Sequence, residues 1–455
     1  MRKKIALAAA LVAWPVLGFA QEKPAPAQAS SGQTQAAAPR EDRVKALEEQ
    51  LRALADQVAQ LQNDLKAMRE AQAAAPAEAV AAPAAPAPAV MAVAPQATVA
   101  AQLGGAQQNA KLLNPDISMI GDFIGTMGRN TVQPSRALEL HESEVGLQAI
   151  IDPYARADVF ISFGEEGVNV EEGYVTFTSL PAELRLRVGK MRAEFGKVNT
   201  IHNHALAYID RPLATNNLVG GEDGIDDAGM SLTRILPAPK NWFLEGTAQV
   251  FRGDSADVFQ SSRRQDVSVV GHVRAYKDLG ESTNLDLGIS YARGHNDQEA
   301  ALLKTSGIVG HNQFVTNLYG ADATLRWKPL RRAIYKSFLW RTELFWSARD
   351  QLTAPTGGFF ETQHAFGMYS SAEYRVNRRW TVGGRFDRSG HAANAALTDN
   401  GFSAILTYWP SEFSQIRGQY RFGRLANPAS AGLSDANELL FQFLFVMGAH
   451  GAHPF

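Results

Sequence analysis

The sequence predicts an all-β fold, a transmembrane antiparallel β-barrel of about sixteen strands, preceded by a periplasmic α-helical coiled coil. Three observations predict it. From Asp116 onward, runs of roughly ten to thirteen residues alternate apolar with polar side chains and are separated by Gly, Asn, Asp, Ser and Pro clusters. The connections between those runs tend to alternate in length, short then long. Beyond residue 20, no apolar run approaches the ~20 residues that a spanning helix requires, so a place in a membrane demands a closed barrel, in which every backbone group is paired.

Residues 1–20 read as a secretory signal. Arg2, Lys3 and Lys4 precede an apolar run from Ile5 to Leu17, and Gly18 and Ala20 supply small residues before a cut. Removing those three cations leaves 41 basic against 46 acidic residues, a charge of −5. Residues 21–40, rich in Ala, Pro, Gln and Ser, lack the bulky apolar side chains needed to fold and predict a disordered tether. Within 41–71, Val44, Leu47, Leu51, Leu54, Val58, Leu61, Leu65 and Met68 recur at alternating spacings of three and four. That seam predicts a coiled coil and therefore self-association, because a lone helix would leave the stripe wet. Residues 72–114 return to Ala and Pro and predict a semi-extended linker into a barrel over 115–455.

Sixteen alternating runs follow in the barrel region. Short connections carry turn chemistry, as at Asp152-Pro153, Pro237 to Lys240 and Pro410 to Glu412. Long polar ones include Gly128 to Arg136, Arg252 to Gln265, His295 to Val315, Arg349 to His364, Ser389 to Asn400 and Ala426 to Asp435. Period two then assigns the faces. Ala155, Ala157, Val159, Ile161 and Phe163 share one face and Arg156, Asp158, Phe160 and Ser162 the other; Phe441, Phe443, Phe445 and Met447 form an unbroken apolar face. An inner face that polar implies water inside the barrel. Tyr174, Trp242, Trp340, Trp346, Trp380 and Trp409 lie near strand ends and are expected in aromatic girdles.

The connection at 192–227 is far longer than the others and forms the third external loop, expected to fold inward because an unobstructed lumen of this width would pass almost anything. Here VGKMRAEFGKV, then YIDRPLA, a Gly-rich stretch and Gly229 opening a strand together resemble the phosphate-selective and polyphosphate-selective porin family. The resemblance covers about 115 to the end and is strongest over 186–230. It implies a trimeric sixteen-stranded outer-membrane channel narrowed by its third loop, often with an N-terminal coil. By position, it implies that Lys190, Arg192 and Lys197 flank the fold-back of that loop and that Asp210 and Arg211 lie within it.

Charge adds a separate expectation. Early strands collect acid (Asp122, Glu142, Glu144, Asp158, Glu171, Glu172), and late ones collect base, with Arg326, Arg341, Arg375, Arg385, Arg388, Arg417 and Arg421. Opposed walls would set a transverse field that favours anions. No loop carries the clustered Arg and Lys of a phosphate-stripping ladder. His202 and His204 lie two apart, as zinc ligands can, but the sequence defines no third ligand and assigns no metal site; His450 and His453 stand in the tail. With no cysteine and no GxSxG elbow, neither thiol chemistry nor a serine hydrolase is indicated, and no cofactor is expected. The sequence thus predicts passive diffusion of small hydrophilic, anionic solutes through a homo-oligomer in contact with outer-membrane lipid. The alternative is a non-conducting barrel that anchors the membrane through the coil to a periplasmic or peptidoglycan contact. The near-neutral charge, −2, offers nothing to nucleic acid.

Overall fold

The computed structural model describes residues 115–448, apart from 166, 256–257, 299–300, 302–313, 354–358 and 428–431. The expected signal, tether, coil and linker, and the tail with His450 and His453, lie outside these residues. Sixteen antiparallel strands follow in chain order. They are β1 (Asp116–Arg129), β2 (Leu138–Asp152), β3 (Ala155–Gly164), β4 (Gly167–Phe177), β5 (Leu184–Arg192), β6 (Asp226–Leu236), β7 (Phe243–Phe251) and β8 (Ser268–Gly280). The rest are β9 (Thr283–His295), β10 (Val315–Trp327), β11 (Ser337–Leu352), β12 (Phe360–Arg375), β13 (Trp380–His391), β14 (Asn394–Ser411), β15 (Ser414–Asn427) and β16 (Gly432–Gly448). Each pairs with its sequence neighbours, and β1 closes on β16 from Ser118 opposite Gly448 to Arg129 opposite Asn437. Closure leaves no strand edge unpaired.

The faces are inverted relative to a water-soluble protein. On β16, Leu439 and Phe441 are 47% and 43% exposed on the outside, whereas Glu438 and Gln442, pointing in, are 3% and 1% exposed. β15 repeats this, with Tyr420 and Phe422 outward and Arg417 and Gln419 inward. A surface that presents aromatic and aliphatic side chains and hides Arg, Gln and Glu matches a hydrocarbon surrounding, not water.

Two aromatic expectations are corrected. Tyr174 pairs with Asp158 and has the Arg187 guanidinium 5.6 Å from its ring centre, so it faces the interior. Trp409 follows the inward parity of Ser403, Ile405 and Thr407 and lines an interior cavity. Trp380 does stand outside, 4.6 Å from Tyr408 between ring centres. The long-loop expectation also changes. Much of Ser389 to Asn400 and Ala426 to Asp435 continues as paired strand, and β13 turns into β14 through only 392–393. Those extensions carry Asn, Asp, Ser and Thr rather than an apolar alternation, so nothing in their pattern announced a strand.

Gly189 shows how tightly β4 and β5 approach. Its φ is +142°, and a Cβ there would lie 2.1 Å from the Gly173 carbonyl oxygen and 2.6 Å from the Tyr174 Cα, both backbone atoms that cannot yield cheaply. Gly189→Val is expected to lower severalfold the yield of barrel that resists unfolding in detergent until heated, read by electrophoresis with and without boiling.

Candidate functional site

Between β5 and β6 the chain runs through two single 3-10 turns, Val198–Thr200 and Asn203–Ala205, and one short helix, α1 (Leu213–Leu218), which begins after Pro212. The base of this loop is closed by Asn199. Its amide donates to the Ala193 and Ile225 carbonyls at 2.9 and 3.0 Å, and its carbonyl accepts the Ile225 N–H at 2.8 Å. Gly196 makes the turn into the loop at φ +64°, where a Cβ would meet Glu343 Oε2 at 2.2 Å.

From that base the loop bonds to inward side chains around the whole barrel. Glu194 N–H donates to Gln249 on β7 at 2.7 Å, Gly196 N–H to Ser290 on β9 at 3.0 Å, and the Lys197 and Val198 amides to the Glu343 carboxylate on β11, each at 2.9 Å. Ile209 N–H reaches Gln419 on β15 at 2.8 Å, and Leu213 N–H reaches Asp387 on β13 at 3.2 Å. Apolar packing completes the attachment. Phe195 lies against Phe345 with ring centres 5.7 Å apart, in a buried cluster that includes Ala214, Leu218, Phe251 and Leu318. Tyr208 and Leu206 pack with Tyr369 and Ile405 in a second cluster. Each such buried aromatic or aliphatic side chain contributes about 1.5–3 kcal/mol, so the loop is a packed element rather than a surface excursion.

Asp210 is the polar centre of this attachment. It accepts from Arg385 at 3.0 Å and from Arg421 at 2.8 Å, with Gln419 as a third donor, and Arg385 also donates to the Asp210 carbonyl at 2.8 Å. The Arg385 guanidinium lies 4.4 Å from the Tyr208 ring centre and bonds Asp387 at 2.7 Å. Burial works to raise the Asp210 carboxyl, but Arg385 and Arg421 hold it down at about 2. Since its ordinary value is 3.8, the stabilisation is complete above that pH and is lost as pH falls through about 2. The loop is therefore expected to become protease-sensitive between pH 3.8 and 2 and not at pH 5, a prediction checked with an acid-tolerant protease.

Of the other residues singled out from sequence, Lys197 reaches Asp286 on β9 at 3.0 Å, and Arg192 is buried against Glu171 at 2.9 Å and the Asp223 carbonyl at 2.7 Å. Arg211 donates to Asn203 at 2.6 Å and to the Ile201 carbonyl at 2.9 Å; burial pushes its guanidinium down to about 9, with the like charge of Arg192 adding to the effect. Lys190 is placed differently from expectation. It alternates onto the outward face with Val188 and bonds Asp226 at 2.8 Å and the Val170 carbonyl at 2.6 Å. Arg388 likewise turns outward, beside Phe386.

Two interior cavities flank the loop. One, about 720 Å³, opens toward the long-loop end and is lined by Glu139, Glu142, Glu171, Asp210, Glu222 and Asp223 against Arg136, Arg211 and Arg421. The other, about 290 Å³, lies toward the short-turn end and is lined by Arg326, Lys328, Arg341, Arg375 and Arg417 against Glu373 and Glu412. Six acids against three bases, then five bases against two acids, give the cavities opposite sign. The simple picture of an acidic wall facing a basic one is corrected in part, because the late strands also carry Glu343, Asp387 and Glu438 beside their arginines. Arg385 and Asp387 stand two apart on one face of β13, where period two already joins them, whereas Arg421 and Glu438 meet through strand register.

No protein-family model matches the chain. An uncharacterized protein of Aquifex aeolicus (strain VF5) is 28% identical over 408 residues, which cover 78% of this chain and 82% of the relative. Among solved structures, the outer membrane channel DcaP of Acinetobacter baumannii superposes with a TM-score of 0.48 at 11% identity over 73% of this chain and 96% of its own. An anion-selective porin from Comamonas acidovorans gives 0.46 at 12%, over 73% and 98%. Salmonella typhi OmpF in complex with daunomycin gives 0.49 at 9%, over 74% and 99%. At such identities and TM-scores, none of the three fixes what this chain does.

Proposed function

We propose that this protein is an outer-membrane porin through which small hydrophilic, preferentially anionic solutes diffuse passively, narrowed where the third loop crosses the lumen. The observation that carries this reading is the inverted barrel: an apolar exterior around an interior of Arg, Asp, Glu and Gln that demands water. Long connections at one end and mostly short turns at the other support an orientation with the loops outside the cell and both barrel termini toward the periplasm. Selection would come from width and field. A solute passing from the acidic cavity to the basic one meets Arg211 and Arg421 beside the loop, then Arg341 and Arg417. Phosphate selectivity in particular has less support, since Arg385 and Arg421 are already engaged by Asp210, Asp387 and Glu438. The coiled-coil seam of the sequence supports a homo-oligomer, with a trimer in keeping with the family resemblance.

Reversal potential of single channels under a salt gradient tests the anionic preference. A shift to the anion side that shrinks as salt screens the arginines is expected, and a cation-side shift would contradict that preference. The dense apolar packing of the third loop favours a second reading, a barrel that conducts nothing and serves as an anchor.

A further inference from the structure

Where the third loop meets β2 and β4, the interior gathers six side chains that ligate metals: Glu142, Glu144, Glu171, Glu172, His202 and His204, each less than a tenth exposed. Two β-bulges build the cluster. On β2 the register slips so that His141 is the extra residue beside Glu142, and on β4 Glu171 is the extra residue, which lets the consecutive Glu171 and Glu172 both turn inward. Against four carboxylates stand Arg192, 2.9 Å from Glu171, and the His202 imidazole, whose Nδ1 lies 2.5 Å from Glu144 and 3.1 Å from Glu171 and whose Nε2 lies 2.9 Å from Glu172, two groups against four. Burying that much negative charge is costly without a further cation.

His202 is held by hydrogen bonds, but at His204 the spacing suits a shared ion. His204 Nδ1 stands 3.5 Å from Glu142 Oε1 and 3.9 Å from Glu144 Oε2, too long for good hydrogen bonds. Two ligand atoms each bound at ~2.0–2.1 Å to one tetrahedral ion would sit about 3.4 Å apart. Glu142 Oε1 is buried with no hydrogen-bond partner, and it points into the cluster. The ligand atoms of Glu144, His202 and His204 all lie within 4.8 Å of one another, as do those of Glu142, Glu144 and Glu171, so Glu144 joins the two sets. Glu142 and Glu171 also line the cavity toward the long-loop end, which gives an ion a route in from that side.

We propose that this cluster binds one divalent transition-metal ion of the zinc class, held by His204, Glu142 and Glu144 while His202 braces Glu144 and Glu172, and that the ion pins the third loop to β2. Mixed imidazole and carboxylate donors suit zinc better than calcium or magnesium, which prefer oxygen alone.

The test is calorimetric titration of Zn2+ into full-length protein in detergent after treatment with EDTA, beside His204→Ala, Glu142→Gln and the double variant His450→Ala/His453→Ala. One Zn2+ per chain is expected in the wild type and in the tail variant, with affinity roughly 100-fold weaker in H204A and E142Q. Absence of binding in the wild type would overturn the proposal, and so would binding unchanged in both cluster variants or binding lost with the tail histidines. Should the cluster variants fail to fold, Co2+ added to the wild type decides: intense visible absorption bands of a tetrahedral site support the proposal, and a spectrum of aqueous Co2+ overturns it.

Discussion

Excising residues 194–224 and joining the ends with a short Gly-Ser turn is expected to raise single-channel conductance at least about threefold, because the lumen of a sixteen-stranded barrel is wide when nothing crosses it. The graft is feasible: Ala193 donates its N–H to the Ile225 carbonyl at 2.8 Å, so the ends of the loop already stand side by side. Wall residues such as Phe251, Leu318 and Phe345 would then face water, and a lower unfolding temperature should accompany the larger current. Unchanged conductance would mean that the loop does not narrow the path.

Asp210→Asn is expected to have the second largest effect. Arg385 is almost wholly buried and would keep Asp387, but it and Arg421 would lose the carboxylate that both share. Breaking a buried charge pair on one side costs about 3–5 kcal/mol, enough to release the middle of the loop for part of the time. Channels of D210N should flicker between conductance levels and shift further toward anions, since one negative charge is gone and two guanidinium groups are less neutralised. Asp387→Asn should act more weakly on gating, because Asp387 holds α1 through the Leu213 N–H and does not touch Arg421.

The barrel itself was legible because its signal is local. Alternation of period two set Phe441 and Phe443 on one apolar face, which β16 turns outward. It fell silent where strands rise beyond the apolar belt, which is why much of Ser389 to Asn400 read as loop and is hairpin. The exceptional length of the third loop marked it as special. Its attachments were not legible, for Glu343, Asp387, Gln419 and Tyr369 meet the loop only through barrel closure. The bulge at Glu171 defeats period-two reading outright, since it turns two consecutive residues to one side. Lys190 shows the converse: one residue of parity separates a lumen charge from one on the outer face.

Passage of neutral solutes into proteoliposomes shows whether water-filled space continues past the loop. Vesicles carrying the full-length protein are expected to swell in pentoses and hexoses, at rates that fall steeply with solute size, and to swell faster when residues 194–224 are excised. No swelling in any sugar, from a preparation whose barrel is intact by circular dichroism and heat-modified migration, would contradict a continuous path and leave the anchoring role in its place.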